Sequence, residues 1–98
     1  MYKSILLPLA KEDIRKATHW YNEKQKGLGK RFVDEVREMV HFVKQNPKAC
    51  NVRYDSVRTA VLNAFPFMLH YIVDESNKTV VISAVLHTSR NPDVWKTR

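Results

Sequence analysis

The stretch Thr79-Val80-Val81-Ile82-Ser83-Ala84-Val85-Leu86-His87-Thr88-Ser89-Arg90-Asn91-Pro92-Asp93-Val94-Trp95 decides the fold. Its first half is almost wholly apolar, rich in β-branched residues and free of glycine and proline. That is the pattern of a strand buried on both faces, so Thr79 to Leu86 is expected to be the central strand of a sheet. The exit of this strand delivers His87, Arg90 and Trp95. A titratable ring, a fixed cation and a large aromatic so close together mark the end of the strand as a candidate site.

Immediately upstream, Phe67 to Val73 alternates Phe67, Leu69, Tyr71 and Val73 with Met68, His70 and Ile72, the period of two expected of a strand with distinct faces. Asp74 to Lys78 is a polar turn of hairpin length between the two. A further strand fits Arg58 to Asn63, with room for one more short strand at Val52 to Tyr54. Toward the N-terminus the period changes. Leu28, Phe32, Val36, Met39, Val40 and Val43 share one arc of a helix that ends at Asn46-Pro47, where proline bars the helical conformation for its predecessor. Ala10, Ile14, Ala17 and Tyr21 mark a preceding helix from about Ala10 to Lys24. Trp20 lies on the flank of that stripe, where it is expected to seal the helix pair. Gly27 is read as the stop of the first helix and Gly29 as a loosening of the second. Tyr2 to Leu7 is a short strand ended by Pro8. The expected fold is therefore α+β: β-αα-β-β-β, with an antiparallel helical hairpin on one face of a small, mainly antiparallel sheet.

All 98 residues belong to a single expected domain. Seventeen Lys and Arg against ten Asp and Glu give a formal charge of +7, a field that favours encounters with polyanions or acidic proteins. The same charge also suits a surface that merely keeps the protein soluble. The single cysteine, Cys50, excludes an internal disulfide and sits in no basic sequence context that would make it a nucleophile. Without a signal-peptide series or an apolar run near the roughly 20 residues of a membrane helix, a cytoplasmic location and no membrane partner are expected.

The charged residues of the β region offer two readings. If the strands carrying Arg53, Tyr54, Arg58, His87 and Arg90 are neighbours, they form a concave basic patch. Guanidinium groups there would hold phosphate, and His87 would act as acid or base in cleavage of RNA by a 2′-hydroxyl. Alternatively they are an ordinary sheet rim whose arginines pair with Asp55 and Asp93. His19, His41 and His70 read as solvated or packing residues, and Glu35 as a salt-bridge former at the edge of the second helix's apolar arc. No phosphate loop, zinc-spaced pair or nucleophile elbow is present, so no metal and no cofactor are expected.

The strings Trp20-Tyr21-Asn22-Glu23, Gly27-Leu28-Gly29-Lys30-Arg31-Phe32, Asn46-Pro47, Val57-Arg58, Phe65-Pro66-Phe67 with Tyr71, and Ala84-Val85-Leu86-His87 followed by Arg90, Pro92 and Trp95 span nearly the whole chain. Together they resemble the RelE/ParE toxin superfamily, most closely its ParE-type, plasmid-stabilisation branch. The resemblance implies the toxin half of a type II toxin–antitoxin module, neutralised by a cognate antitoxin and reaching operator DNA only through it. For the ParE-type branch it implies growth inhibition by binding DNA gyrase. For the RelE-type branch it implies ribosome-dependent cleavage of mRNA. Carried onto this chain, the ribonuclease pattern finds Met68 where an arginine is usual and Arg58 with Ala60 where a lysine pair is usual. The expected arginine after the last strand falls near Thr88, two residues before Arg90, and Trp95 stands at the place of a tyrosine. The binding reading thus leads, with Arg53, Tyr54, Arg58, Arg90 and Trp95 gripping target or phosphate. The ribonuclease reading, with His87, Arg58 and Arg90 as the catalytic set, is the alternative.

Overall fold

Pro8 ends the first strand as expected and also opens the first helix. In the computed structural model, which describes residues 1–92, β1 spans Lys3–Leu6 and α1 spans Pro8–Lys24. The helix starts two residues before the sequence periodicity suggests, because a proline at the first helical position lacks only an N–H that would have no partner there. The chain continues through α2 (Leu28–Gln45), β2 (Val52–Tyr54), β3 (Val57–Val61), β4 (Phe67–Asp74) and β5 (Thr79–His87).

The turn between the helices assigns the glycines differently from the sequence reading. α1 ends at Gln25, whose backbone is extended and whose N–H returns to the Tyr21 carbonyl. Gly27 instead caps the start of α2 with φ of +85°, a conformation that disfavours side chains. Gly29 does not loosen α2. It is a point of close approach, where Asn22 Oδ1 accepts the Gly29 N–H at 2.9 Å and a Cβ would come within 2.6 Å of the Asn22 side chain.

The sheet order is β1-β5-β4-β3-β2, with β1 parallel to β5 and the remaining pairs antiparallel. β5 is an interior strand, but the middle place belongs to β4. Both helices cover one face. On that face Leu69, Tyr71, Val80, Ile82 and Val85 pack against Ala10, Ala17, Tyr21, Phe32, Val36 and Val43. Four rings close the end of this core nearest the helix turn. Tyr21 and Phe65 are 4.9 Å apart, Phe32 and Phe67 5.1 Å, and Phe32 and Phe65 5.4 Å, mostly edge to face.

Two buried polar contacts tie loops to this core. The fully buried Tyr71 donates its hydroxyl to the Pro47 carbonyl at 2.9 Å, anchoring the segment after α2. Burial, with the Cys50 thiol beside it, pushes the Tyr71 phenol well above the ordinary tyrosine range, and burial also raises Tyr21. Both shifts favour the neutral phenol. Their contribution to stability is therefore complete below the unfolded-state pKa of about 10 and is lost as pH rises through the higher folded values. A tyrosinate absorbance titration should accordingly show Tyr21 and Tyr71 ionising late, with global unfolding accompanying Tyr71. A single ordinary transition for all four tyrosines would contradict this.

Glu35 departs from expectation as well. Among the described residues it forms no salt bridge; instead its Oε1 accepts the backbone N–H groups of Asn63 and Ala64, each at 2.7 Å. These are the donors that the turn between β3 and β4 leaves without a ladder partner.

Candidate cleft between helix 1 and the end of the last strand

The site begins with a mismatch of strand lengths. β1 pairs with β5 only as far as Leu6 opposite Ile82, after which the chain turns into α1. β5 runs on to His87, so among the described residues no strand lies beside its last residues on that side. Two local devices blunt this half-edge. Asp13 on α1 accepts the Val85 N–H at 3.0 Å, and the His87 carbonyl takes the Arg90 N–H at 3.0 Å.

Between α1 and this half-edge lies a cleft of about 450 Å³. Its floor is apolar and aromatic, with Ala17, Tyr21, Phe67 and Val85, and Lys16, Trp20, His87 and Arg90 are on its walls. Trp20 does not seal the helix pair. It is 53% exposed, meets Tyr21 edge to face at 5.1 Å, and has the Lys24 ammonium 4.9 Å from its ring centre. Lys16, Trp20 and Lys24 recur every four residues and so form one stripe along α1. The apolar-stripe reading overlooked this triplet because it treated Trp20 as core. The four-residue spacing of two cations about an off-stripe tryptophan was the available signal.

The His87 ring is held from two sides. Phe67 contacts it edge to face at 5.3 Å, and its Nδ1 lies 3.1 Å from the Ser89 N–H and 2.7 Å from the Ser89 hydroxyl. A backbone N–H only donates, so Nδ1 must accept. The neutral ring then carries its proton on Nε2. His87 is thus preset as a hydrogen-bond donor through Nε2; acting there as a base would require the opposite tautomer, which gives up the Ser89 N–H contact and keeps only the Ser89 hydroxyl, then as acceptor.

The structure divides the sequence-derived site residues among several places. His87 and Arg90 share the cleft. Arg58 does not join them, because β4 separates β3 from β5 and the two are not neighbours. Arg58 pairs with Tyr71 and His87 with Phe67, four residues apart along β4 or about 13 Å. The Arg58 guanidinium donates to the Cys50 carbonyl. Arg53 and Tyr54 lie on the far edge strand β2, with the Tyr54 hydroxyl 3.0 Å from His70 Nδ1. His70 does point away from the helices, as the alternation requires, yet it is fully buried. Trp95 and Asp93 lie outside the described residues.

The sheet face turned away from the helices is the natural place for a second site, and its chemistry is distinctive. Register places Val57, Thr59 and Val61 of β3, Met68, His70 and Ile72 of β4, and Val81, Ala84 and Leu86 of β5 on it, with a bulge at Ser83 keeping Ala84 and Leu86 in phase. None of these is a lysine or arginine. Met68, Ala84 and Leu86 are buried there and Tyr54 packs against them. Among the described residues, no three His, Cys, Asp or Glu side chains converge as a metal site requires, and no helix is long and apolar enough to cross a membrane.

Comparison with known proteins places this architecture. The fold is similar to the E. coli RelBE toxin–antitoxin complex (TM-score 0.70, 17% identity, 92% of this chain and 100% of that chain covered). It is similar to a chromosomal ParDE system from P. aeruginosa (TM-score 0.67, 20% identity, 89% and 96% covered). It is also similar to the isolated E. coli RelE toxin (TM-score 0.69, 16% identity, 99% and 95% covered). No curated protein matches the chain in sequence. The family described as the ParE toxin of the type II toxin–antitoxin system parDE matches residues 5–92. From the N-terminal strand to the turn beyond β5, then, the chain belongs to the ParE toxin family of type II toxin–antitoxin systems.

Proposed function

We propose that this toxin arrests growth in the cytoplasm by binding an essential target, DNA gyrase, rather than by cutting RNA, and that its module serves plasmid stabilisation. The observation that carries this reading is the absence of any lysine or arginine at the β3, β4 and β5 positions facing away from the helices. Attack by a 2′-hydroxyl builds negative charge on the phosphoryl oxygens, and fixed cations are the usual means of stabilising it. A face of Thr59, Met68, Ala84 and Leu86 supplies none.

One observation favours the RelE-type alternative, ribosome-dependent cleavage of mRNA: His87 and Arg90 do share a cleft. Expression in cells lacking the antitoxin separates the two readings. Growth should stop with a DNA-damage response and intact transcripts. Cut transcripts with an undamaged chromosome would overturn the gyrase reading. Co-expression of the cognate antitoxin should restore growth in either case and so tests the module itself.

A further inference from the structure

We infer that the cleft between α1 and the end of β5 binds a nucleotide unit, with the base against Trp20 and the phosphate among Lys16, His87 and Arg90. This goes beyond the choice of cellular target and does not depend on it. Four features of the cleft carry the inference. Its volume of about 450 Å³ is within the usual 300 to 1,000 Å³ of small-ligand sites and suits one nucleotide. Trp20 remains 53% exposed in an otherwise aromatic-floored cleft, where a base can gain stacking area. Two fixed cations, Lys16 and Arg90, line the same cleft, and the Nε2–H of His87 adds a donor suited to a phosphate oxygen. Finally, Lys24 stands one turn beyond Trp20 with its ammonium near the indole, extending the cationic stripe away from the cleft.

An acidic peptide would meet the same charges, but a strand added beside β5 would have to displace Asp13 from the Val85 N–H and share the His87 carbonyl with the Arg90 N–H. The cleft offers an aromatic surface bordered by Lys16 and Arg90, with the Asp13 carboxylate engaged on the Val85 N–H, which suits a ligand with a π-face and a phosphate. The unit can come from a free nucleotide or from single-stranded nucleic acid, and the two sources are separable by experiment.

The test is fluorescence anisotropy of fluorescein-labelled decauridylate with the full chain, with uridine 5′-monophosphate and poly-L-glutamate as competitors. Trp20→Ala should weaken binding about tenfold, within the range for loss of one stacked base. The double variant Lys16→Glu/Arg90→Glu should lower the slope of log affinity against log salt by about 0.7, the value for the one phosphate that the two cations share on a single strand. The control Lys3→Glu/Lys78→Glu makes the same change in net charge at the opposite end of β5 and should stay within twofold of wild type. Displacement by the monophosphate at micromolar concentration would identify free nucleotide as the source, and its failure with retained decauridylate binding would identify the single strand. Both uphold the site. The inference is overturned if Trp20→Ala binds as wild type, if both charge variants lose affinity equally, or if poly-L-glutamate binds with the same Trp20 dependence. Because Trp20 is largely outside the core, its truncation is expected to leave the thermal midpoint nearly unchanged, and Trp20→Phe, which keeps a stacking ring, should restore most of the affinity.

Discussion

Phe32→Ala should destabilise the protein by about 3 to 5 kcal/mol, the range for removing a fully buried aromatic from a packed core. Phe32 has no solvent exposure and contacts Tyr21, Phe65 and Phe67, with ring centres 5.1 to 5.4 Å away. Its loss opens a void that none of the three neighbours can fill alone, since each is itself held by the others. A domain of this size is stable by only about 5 to 15 kcal/mol, so the variant should be poorly folded at growth temperature. Urea unfolding monitored by circular dichroism measures the effect. A midpoint unchanged within error would mean that the four-ring cluster does not hold the helices to the sheet. Phe32→Leu, which restores much of the volume, should recover over half of the loss.

The second large effect is expected at Glu35. Its carboxylate is the acceptor for two successive backbone N–H groups, those of Asn63 and Ala64, and its second oxygen is buried. Glu35→Ala removes both charge-assisted bonds and leaves the donors to find water at the rim of the turn. A cost of about 2 to 4 kcal/mol follows from roughly 1.5 to 3 kcal/mol for each bond to a charged group, reduced by that access to water. Glu35→Gln keeps an acceptor of the same shape and should cost about half as much. Amide hydrogen exchange gives the sharper readout. Asn63 and Ala64 should lose protection in the alanine variant, while the amides of β4 and β5 follow only the global stability. If the two turn amides exchange at wild-type rates, the carboxylate is not their acceptor in solution.

Much of the architecture was legible in the residues because it depends on period. The arc of Phe32, Val36 and Val43 and the alternation of Leu69 and Tyr71 both point to the buried face they occupy. The β-branched run from Thr79 is indeed an interior strand. What period cannot encode is which strand lies beside which. Arg58 and His87 read as potential partners only on the assumption that their strands are adjacent, and the insertion of β4 between them is a long-range choice that no local pattern announces. Trp20 was misplaced for a related reason. A large aromatic next to an apolar stripe is usually core, and its exposure here goes with the short β1, which among the described residues leaves no strand beside the end of β5 and the adjoining side of α1. The roles of Glu35 and Asp13 were hidden too, since a carboxylate serving a distant backbone N–H has no sequence signature.

The division of charge within the fold bears on function. The protein is strongly basic, yet the sheet face away from the helices has no cation at its β3, β4 and β5 positions, whereas α1, the helix turn and the start of α2 carry Lys11, Arg15, Lys16, Lys24, Lys26, Lys30 and Arg31. Residues 8–45 hold nine Lys or Arg against six Asp or Glu, a share of +3 in the total of +7, so the positive field is spread over both layers rather than concentrated on the sheet face. A field of this sign favours encounter with an acidic or DNA-bound target.

The most direct measurement is supercoiling of relaxed plasmid by purified DNA gyrase and ATP, titrated with the purified toxin. If the toxin acts by binding gyrase, supercoiling falls saturably as toxin approaches the enzyme concentration, and linear DNA is released when the mixture is denatured and protease-treated. The antitoxin, added first, abolishes both effects. Full supercoiling at a large excess of a toxin that still arrests growth in cells would contradict the account.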